Sequence, residues 1–236
     1  EFLFHSGIFS LMIFDSHFHI TSMNSRGLDT TLPSSFFGLE CGTEPGDAEE
    51  RIKLIGKRLD VMMSMGAGPW MLEKEENIET IIENLKKDID RFGADAIGEC
   101  GFDKHWNYGT IEKQRELFIR EIMVSKELNL ALIVHSRDAD EELLSLSSYF
   151  DDRTIMHSFS SGPETTKKIL DSGAYISFSG NITYKANEHI RESAKYCPVE
   201  KILFETDSPY LSPVPMRGKP NTPMNTEYTL AFIAEL

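Results

Sequence analysis

The stretch LMIFDSHFH, residues 11–19, joins an apolar run to two histidines separated by one residue. In an extended strand, alternate side chains point to the same face and lie roughly 6.6 Å apart. His17 and His19 can therefore bind one metal ion from the end of a strand. The H-x-H pattern occurs by chance in many chains, so it indicates a metal site only if similar apolar runs later in the chain also end in residues that can bind a metal.

Four further apolar segments run directly into a residue that can bind a metal. The residues that end them are Glu99, His135, His157 and Asp207. A single histidine or carboxylate at a strand end is more often a structural residue. Five strand ends with the same pattern are hard to explain in that way, because the carboxyl ends of parallel barrel strands share one face.

The alternation of apolar runs with helical patterns predicts an α/β fold, a TIM-like (β/α)8 barrel in a single domain. Strands are expected at 11–16, 35–41, 59–65, 95–99, 130–134, 153–157, 173–178 and 201–205. Helices are expected at 46–57, 75–92, 110–128, 138–149, 163–171, 186–196 and 225–235. Residues 20–34 contain no convincing helix, so the first βα unit is expected to be abbreviated. The barrel is assigned to residues 12–236, with 1–11 as an N-terminal extension or a remnant of expression.

Composition limits the function classes. The chain has 236 residues, 40% of them hydrophobic, and a formal net charge of -14. The acidic balance argues against a broad basic groove for duplex nucleic acid. No apolar stretch is long enough for a membrane span, and three widely spaced cysteines suit a reducing cytoplasm. Oligomeric state cannot be read from the sequence.

The candidate residues suit a binuclear metal centre. Imidazole and carboxylate ligands together favour ions such as Zn, Mn, Co or Fe. The expected ligands of the first ion are His17, His19, Glu99 and Asp207. Those of the second are Glu99, His135 and His157. A water between the ions would be acidified toward hydroxide, and Asp207 could orient it and take its proton. Glu99 would bridge the ions and share the catalytic role. A serine hydrolase is disfavoured, because no G-x-S-x-G elbow is present.

The chain resembles the TatD family of metal-dependent hydrolases, within the amidohydrolase superfamily, over residues 12–236. The matching segments are FDSHFH (14–19), IGECGFD (97–103), VHSRDA (134–139), MHSF (156–159), ETDSPYL (205–211), PVP (213–215) and RGK (217–219). The resemblance implies a TIM-like barrel, two divalent ions and Mg- or Mn-supported DNase activity. By motif position, Glu99 stands where other branches of the superfamily carry a carboxylated lysine.

The segment GAGPW, residues 66–70, departs from the family, whose members usually read G-I-H-P-H there. Gly68 and Trp70 thus replace two histidines near the mouth of the site. The chain also ends inside its last helical pattern, whereas family members continue with a further helix. For the substrate, Arg137 is the best candidate to bind a phosphate, although an ion pair with Asp138 or Asp103 is an equal alternative.

His105 is a second candidate substrate contact, with a surface loop histidine as the alternative. Trp70 and Trp106 could stack a base, but core packing is the more common role. The favoured function is a 3′-to-5′ DNase that acts on DNA ends. The alternatives are hydrolysis of a small ester, lactone or aminoacyl ester by the same centre, and a non-catalytic scaffold. The resident metal, Zn, Mn or Mg, is left open.

Overall fold

Eight parallel strands form one sheet in the part of the chain that the structure describes. This computed structural model covers residues 13–56 and 58–236, so the predicted extension at 1–11 lies outside the described residues. The strands are β1 (Ile13–Phe18), β2 (Phe36–Glu40), β3 (Val61–Met65), β4 (Ala96–Asp103), β5 (Ala131–Arg137), β6 (Thr154–Met156), β7 (Tyr175–Phe178) and β8 (Ile202–Phe204).

Helices alternate with these strands. The α-helices of the described residues are α1 (Ile20–Ser25), α2 (Ala48–Ile55), α3 (Met71–Lys74), α4 (Ile78–Phe92), α5 (Ile111–Leu128), α6 (Asp140–Leu144), α7 (Pro163–Asp171), α8 (Glu188–Tyr196) and α9 (Thr226–Ala234). Four short 3-10 helices cover Ser147–Tyr149, Gly180–Thr183, Val199–Lys201 and Pro223–Asn225. Among the described helices, none combines the length and the hydropathy that a membrane span requires.

The strand order follows the chain from β1 to β8, and every neighbouring pair is parallel. The first and last strands meet just beyond their carboxyl ends. There the backbone N–H of His19 donates to the carbonyl of Ser208 at 2.9 Å, and that of Asp207 donates to the carbonyl of His17 at 2.9 Å. The sheet is therefore a nearly closed barrel, which confirms the (β/α)8 prediction.

The core has an outer and an inner part. The largest cluster joins the inward faces of α4 and α5, such as Leu85 and Ile122, to β4 and β5 residues such as Phe102. A smaller cluster brings together Leu39 and Ile133 with Ala96 and Cys41. Because β2 and β4 are not neighbours in the sheet, these contacts cross the barrel interior. A filled interior leaves the carboxyl face of the barrel as the place for a site.

The main differences from the predicted segments lie at 20–34, at the ends of β4 and β5, and at 138–149. The prediction of no helix in 20–34 was wrong for α1, although that helix has only six residues and the first βα unit is abbreviated as expected. Strands β4 and β5 run beyond their predicted ends because they continue to pair, up to Asp103 opposite Arg137. The helix predicted over 138–149 is divided into α6 and a 3-10 turn.

Candidate metal centre

All six predicted ligands converge at the carboxyl end of the barrel. His17 belongs to β1 and His19 follows it, Glu99 and His135 belong to β4 and β5, and the other two follow β6 and β8. The side chains are buried, with the largest exposures at His135 (17%) and Asp207 (14%). Three overlapping groups have ligand atoms close enough to hold an ion. They are His17, His19 and Glu99; His17, His157 and Asp207; and Glu99, His135 and His157.

Glu99 lies at the centre of the cluster. Its Oε2 atom is 3.5 Å from Nε2 of both His17 and His19. Its Oε1 atom is 3.0 Å from Nδ1 of His135 and 3.1 Å from Nε2 of His157. Each carboxylate oxygen therefore faces a different pair of imidazoles, as the predicted bridging role requires.

Glycines on both sides of Glu99 allow this approach. Gly98 and Gly101 have φ values of 136° and 137°, a region that side-chain-bearing residues rarely adopt. A Cβ atom at Gly98 would lie 2.4 Å from the carbonyl oxygen of Ile133, and one at Gly101 would lie 2.1 Å from that of His135. Both glycines thus let β4 pack closely on β5 and bring Glu99 to His135.

The outward nitrogens of three imidazoles are held by other groups. Nδ1 of His19 lies 3.0 Å from the carbonyl oxygen of Cys41. Nδ1 of His157 lies 3.0 Å from Oε1 of Glu205, and Nε2 of His135 lies 3.2 Å from Oδ2 of Asp103. An outward N–H that donates in this way leaves the lone pair of the other nitrogen turned toward the cluster.

Asp103 and Glu205 are the residues that the sequence analysis missed as parts of the site. Asp103 was considered only as an ion-pair partner of Arg137, and Glu205 was named only as part of the ETDSPYL segment (205–211). A signal did exist for Glu205, since it ends the predicted strand 201–205 and lies two residues before Asp207. No rule of spacing, however, separates a carboxylate that binds a metal from one that orients a histidine.

Asp207 closes the cluster on the side of the last strand. Its Oδ1 atom is 3.2 Å from Nε2 of His19 and 4.0 Å from Nε2 of His17. Burial opposes ionisation, but the hydrogen bond from His19 and the charge of His157 hold the pKa of Asp207 below its ordinary value. Its backbone N–H donates to the carbonyl of His17. Asp15 holds the neighbouring backbone, because it accepts hydrogen bonds from the N–H of Thr206 at 2.9 Å and of His17 at 3.1 Å.

The electrostatics of the cluster favour positive charge at its centre. Burial opposes the charged form of Glu99, yet the charge of His157 and the hydrogen bond from His135 hold its pKa well below the ordinary range. Burial likewise opposes a charged His19, but its hydrogen bond to Asp207 and the charge of Glu99 raise its pKa to about 9. Ionised carboxylates beside basic imidazoles thus draw either protons or a cation into this space.

The donor set fits a divalent ion better than protons. The Nε2 atoms of His17 and His19 are 3.1 Å apart and both face Glu99. A proton can satisfy only one of these two nitrogens at a time, whereas a cation accepts lone pairs from both. Nitrogen and oxygen donors in such an arrangement are typical of Zn and of other first-row transition ions.

A cavity of about 380 Å³ opens over the cluster. It is lined by Trp70, Trp106, Tyr108, Arg137 and Tyr210, together with ligands of the cluster. A second cavity of about 330 Å³ adjoins it and shares Arg137 and Tyr210. Substrate atoms can therefore reach the cluster from this side.

The two predicted substrate contacts have different positions. Arg137 lines both cavities. The two carboxylates considered as its ion-pair partners contact histidines instead: Asp103 contacts His135, and Asp138 contacts His105. His105 is 44% exposed, and its ring lies 3.3 Å from Asp138. The loop after β4 contributes Trp106 to the cavity wall, so a substrate role for His105 stays a prediction.

Known proteins are similar to this chain in sequence and in fold. The chain matches the family model described as TatD related DNase over residues 14–236. It is 35% identical over 239 residues to the uncharacterized metal-dependent hydrolase YcfH of Escherichia coli K12, covering 96% of this chain and 88% of that protein. The uncharacterized metal-dependent hydrolase YabD of Bacillus subtilis is 38% identical over 144 residues, covering 60% of this chain and 56% of YabD.

Solved structures agree on the fold. The crystal structure of YJJV, a TatD homolog from Escherichia coli K12, has a TM-score of 0.82 at 24% identity, covering 95% of this chain and 90% of that one. The barrel and its His/Glu/Asp cluster define a metal-dependent hydrolase. With the family model matched over nearly the whole chain, this protein belongs to the TatD family, which confirms the resemblance seen in its motifs.

Proposed function

We propose that this protein is a binuclear metal-dependent phosphodiesterase that removes nucleotides from the 3′ ends of DNA. The observation that carries the proposal is Glu99, whose two oxygens face two separate pairs of histidines at 3.0 to 3.5 Å. The choice of DNA as substrate is supported by membership of the family described as TatD related DNase.

The ligand assignment follows from these distances. His17, His19 and Asp207 would hold one ion with Oε2 of Glu99, and His135 and His157 would hold the other with Oε1. Four imidazoles favour Zn or Mn over Mg, which prefers oxygen ligands and keeps its waters. When bound, two such ions lower the pKa of a water molecule and polarise the ester.

Asp207 and Arg137 are the side chains proposed to act on the reacting groups. Asp207 is ionised, only partly exposed and adjacent to the cavity, so it can orient a water and accept its proton. Arg137 lines both cavities, and its guanidinium matches the oxygens of a phosphate. Together they would supply a general base and a phosphate contact to the same cavity.

A second candidate is hydrolysis of a small ester, lactone or aminoacyl ester at the same centre. Two observations favour it. Gly68 and Trp70 replace histidines that are usual in the family, and the net charge of -14 disfavours long nucleic acids. The cluster itself suits either substrate, because a polarised ester and an activated water serve both reactions.

The deciding experiment measures metal content and cleavage together. Protein purified without chelator is analysed by mass spectrometry, then mixed with 5′-labelled oligonucleotides and an ester panel in Mg, Mn or Zn. We expect about two ions per chain and stepwise shortening from the 3′ end. Two ions with ester cleavage only would overturn the DNase proposal and favour the second candidate. One ion per chain would overturn the binuclear centre.

Asp207→Asn tests the proposed general base. The amide keeps the size of the side chain but cannot accept the proton, so kcat is expected to fall by about 10²- to 10⁴-fold while the fold is retained. Asp152→Asn is the matched control, because Asp152 is exposed at the opposite end of the barrel, before β6. Near-normal turnover by Asp207→Asn in a folded protein would contradict the assignment.

A further inference from the structure

Gly68 and Trp70 form one structural unit at the wall of the cavity. A Cβ atom at Gly68 would lie 2.0 Å from Cζ2 of Trp70, so the indole occupies the space that a side chain at position 68 would need. The ring centroid of Trp70 is 5.7 Å from that of His135. The exchange of two imidazoles for this pair therefore puts an aromatic side chain beside the candidate metal centre.

The indole of Trp70 is held in place before any substrate binds. Its Nε1–H donates to the carbonyl oxygen of Thr43 at 2.9 Å, and the backbone N–H of Gly68 donates to the same oxygen at 3.3 Å. The N–H of Ala67 donates to Oε1 of the buried Glu121 at 2.8 Å. Contacts from two other elements thus fix the loop, so little conformational entropy remains to be lost on binding.

We propose that Trp70 is a specificity-determining residue that binds the nucleobase next to the scissile phosphodiester, an inference that rests on the proposed function. Trp70 lines the same cavity as Glu99 and Arg137, so a base against the indole leaves the adjoining phosphate within the site. Tyr108 packs edge-on against Trp70 at 6.2 Å, and Trp106, 54% exposed, extends the aromatic wall. Aromatic stacking tolerates any base, which suits an enzyme that degrades DNA from an end.

Fluorescence gives a test that does not depend on turnover. The chain has two tryptophans, so Trp106→Phe leaves Trp70 as its only indole. This variant is titrated in Mg²⁺ with dAMP and with 2-deoxyribose 5-phosphate, which has the same sugar and phosphate but no base. We expect saturable quenching by dAMP and an affinity about tenfold higher than for the sugar phosphate. Equal affinities, or binding of dAMP without quenching, would overturn the proposal.

The cleavage of oligonucleotides provides a second test of the role of Trp70. Two oligonucleotides that differ only in a normal or an abasic 3′-terminal residue are compared by kcat/KM. The preference for the normal end is expected to be about tenfold or more in the wild type, smaller in Gly68→Ala, which displaces the indole, and lost in Trp70→Ala. Trp70→Phe should retain part of it.

The outcomes separate the two proposals. Cleavage of both oligonucleotides at equal rates by the wild type would overturn the base-binding role and leave the DNase proposal standing. Cleavage of neither, with dAMP still favoured over the sugar phosphate, would overturn the DNase proposal and leave only nucleobase binding by Trp70 standing. An equal loss on both substrates in Trp70→Ala and Trp70→Phe would mean that Trp70 only packs the wall, and would overturn its role in specificity.

Discussion

At the scale of single residues, the candidate site depends on carboxylates that orient histidines as much as on the ligands. Glu205 is fully buried, and its Oε1 atom accepts from the backbone N–H of Ser158 at 3.0 Å as well as contacting His157. It thereby sets both the ring orientation and the tautomer of His157. Such a partner also increases the basicity of the ligand that it holds.

Glu205→Gln should weaken metal binding without unfolding the protein. The amide keeps an oxygen acceptor for His157 but removes the negative charge, so affinity for one of two ions is expected to fall about 10- to 100-fold. Competition with a fluorescent chelator measures this loss. Glu200→Gln, an exposed residue in the turn before β8, is the control. Unchanged affinity for both ions would show that Glu205 only packs beneath the site.

Glu121 is a second buried carboxyl, and it makes stability depend on pH. Burial raises its pKa well above the ordinary value, and the hydrogen bond from Ala67 only partly offsets this. Oε2 of Glu121 has no hydrogen-bond partner among the described residues. The folded protein therefore keeps the proton after the unfolded chain has lost it. The contribution of Glu121 to stability therefore falls as the pH rises above the pKa that this carboxyl has in the unfolded chain.

Glu121→Gln should remove this pH-dependent loss. The neutral amide resembles the protonated acid, so the variant's gain in Tm over the wild type should be larger at pH 8 than at pH 5. Each kcal/mol of difference in the free energy of unfolding corresponds to about 2 to 4 °C in Tm. Titration of the histidines affects both proteins alike and cancels in the difference. Glu116→Gln, exposed on the same helix, should give no such trend. A gain that is equal at both pH values would contradict a raised pKa.

At the scale of elements, the close approach of β3 to β4 sets the position of Glu99. A Cβ atom at Gly66, just after β3, would lie 2.3 Å from the carbonyl carbon of Gly98 and 2.5 Å from its Cα. Both atoms belong to backbone, which cannot swing aside as the end of a side chain can. The absence of a side chain at position 66 therefore determines where the next strand presents its carboxylate.

Gly66→Ala should destabilise the protein and disturb the centre together. Overpacking against backbone is expected to lower the free energy of unfolding by about 3 kcal/mol, as measured by urea denaturation, and to reduce metal content. Gly162→Ala is the control, since nothing lies within 4 Å of an added Cβ there. Because Gly162 is the N-cap of α7, this substitution should lower the free energy of unfolding by at most about 1 kcal/mol and leave the metal content unchanged. Equal effects of the two variants would refute the steric argument.

The elements also indicate what could be predicted from sequence. His17 and His19 were predicted to converge because strand side chains alternate, and that rule is local. Helix α1 was missed because ITSMNS has weak helix propensity; it forms where Ile20 and Met23 are buried on one side. The extra length of β4 was missed because it comes from pairing with β5, and a single sequence does not display such pairing.

At the scale of the whole molecule, the protein and its proposed substrate both carry a net negative charge. The chain carries 38 acidic and 24 basic residues, yet the proposed substrate is a polyanion. Binding must then depend on the metal centre and on few cationic side chains, Arg137 among them. A protein that binds DNA through many phosphate contacts instead depends steeply on salt.

The salt dependence of cleavage should accordingly be weak. With one side-chain contact to phosphate, kcat/KM on a single-stranded oligonucleotide should fall only about threefold between 50 and 200 mM NaCl, at constant divalent ion. Arg137→Ala should abolish most of the remaining slope. A fall of two orders of magnitude over this range would reveal a basic binding surface that the proposed mode of binding does not include.

The junction between β1 and β8 also has a consequence for the order of biosynthesis. Asp15 and Thr206, which bond across it, are 191 positions apart in the chain. A ribosome that has completed α7 has already released His17 and His19, but it has not yet synthesised β8 or Asp207, which follows that strand. The six-residue cluster can therefore assemble only after β8 and Asp207 have left the ribosome, and the full affinity for metal is gained by the folded domain and not by a nascent chain that still lacks them.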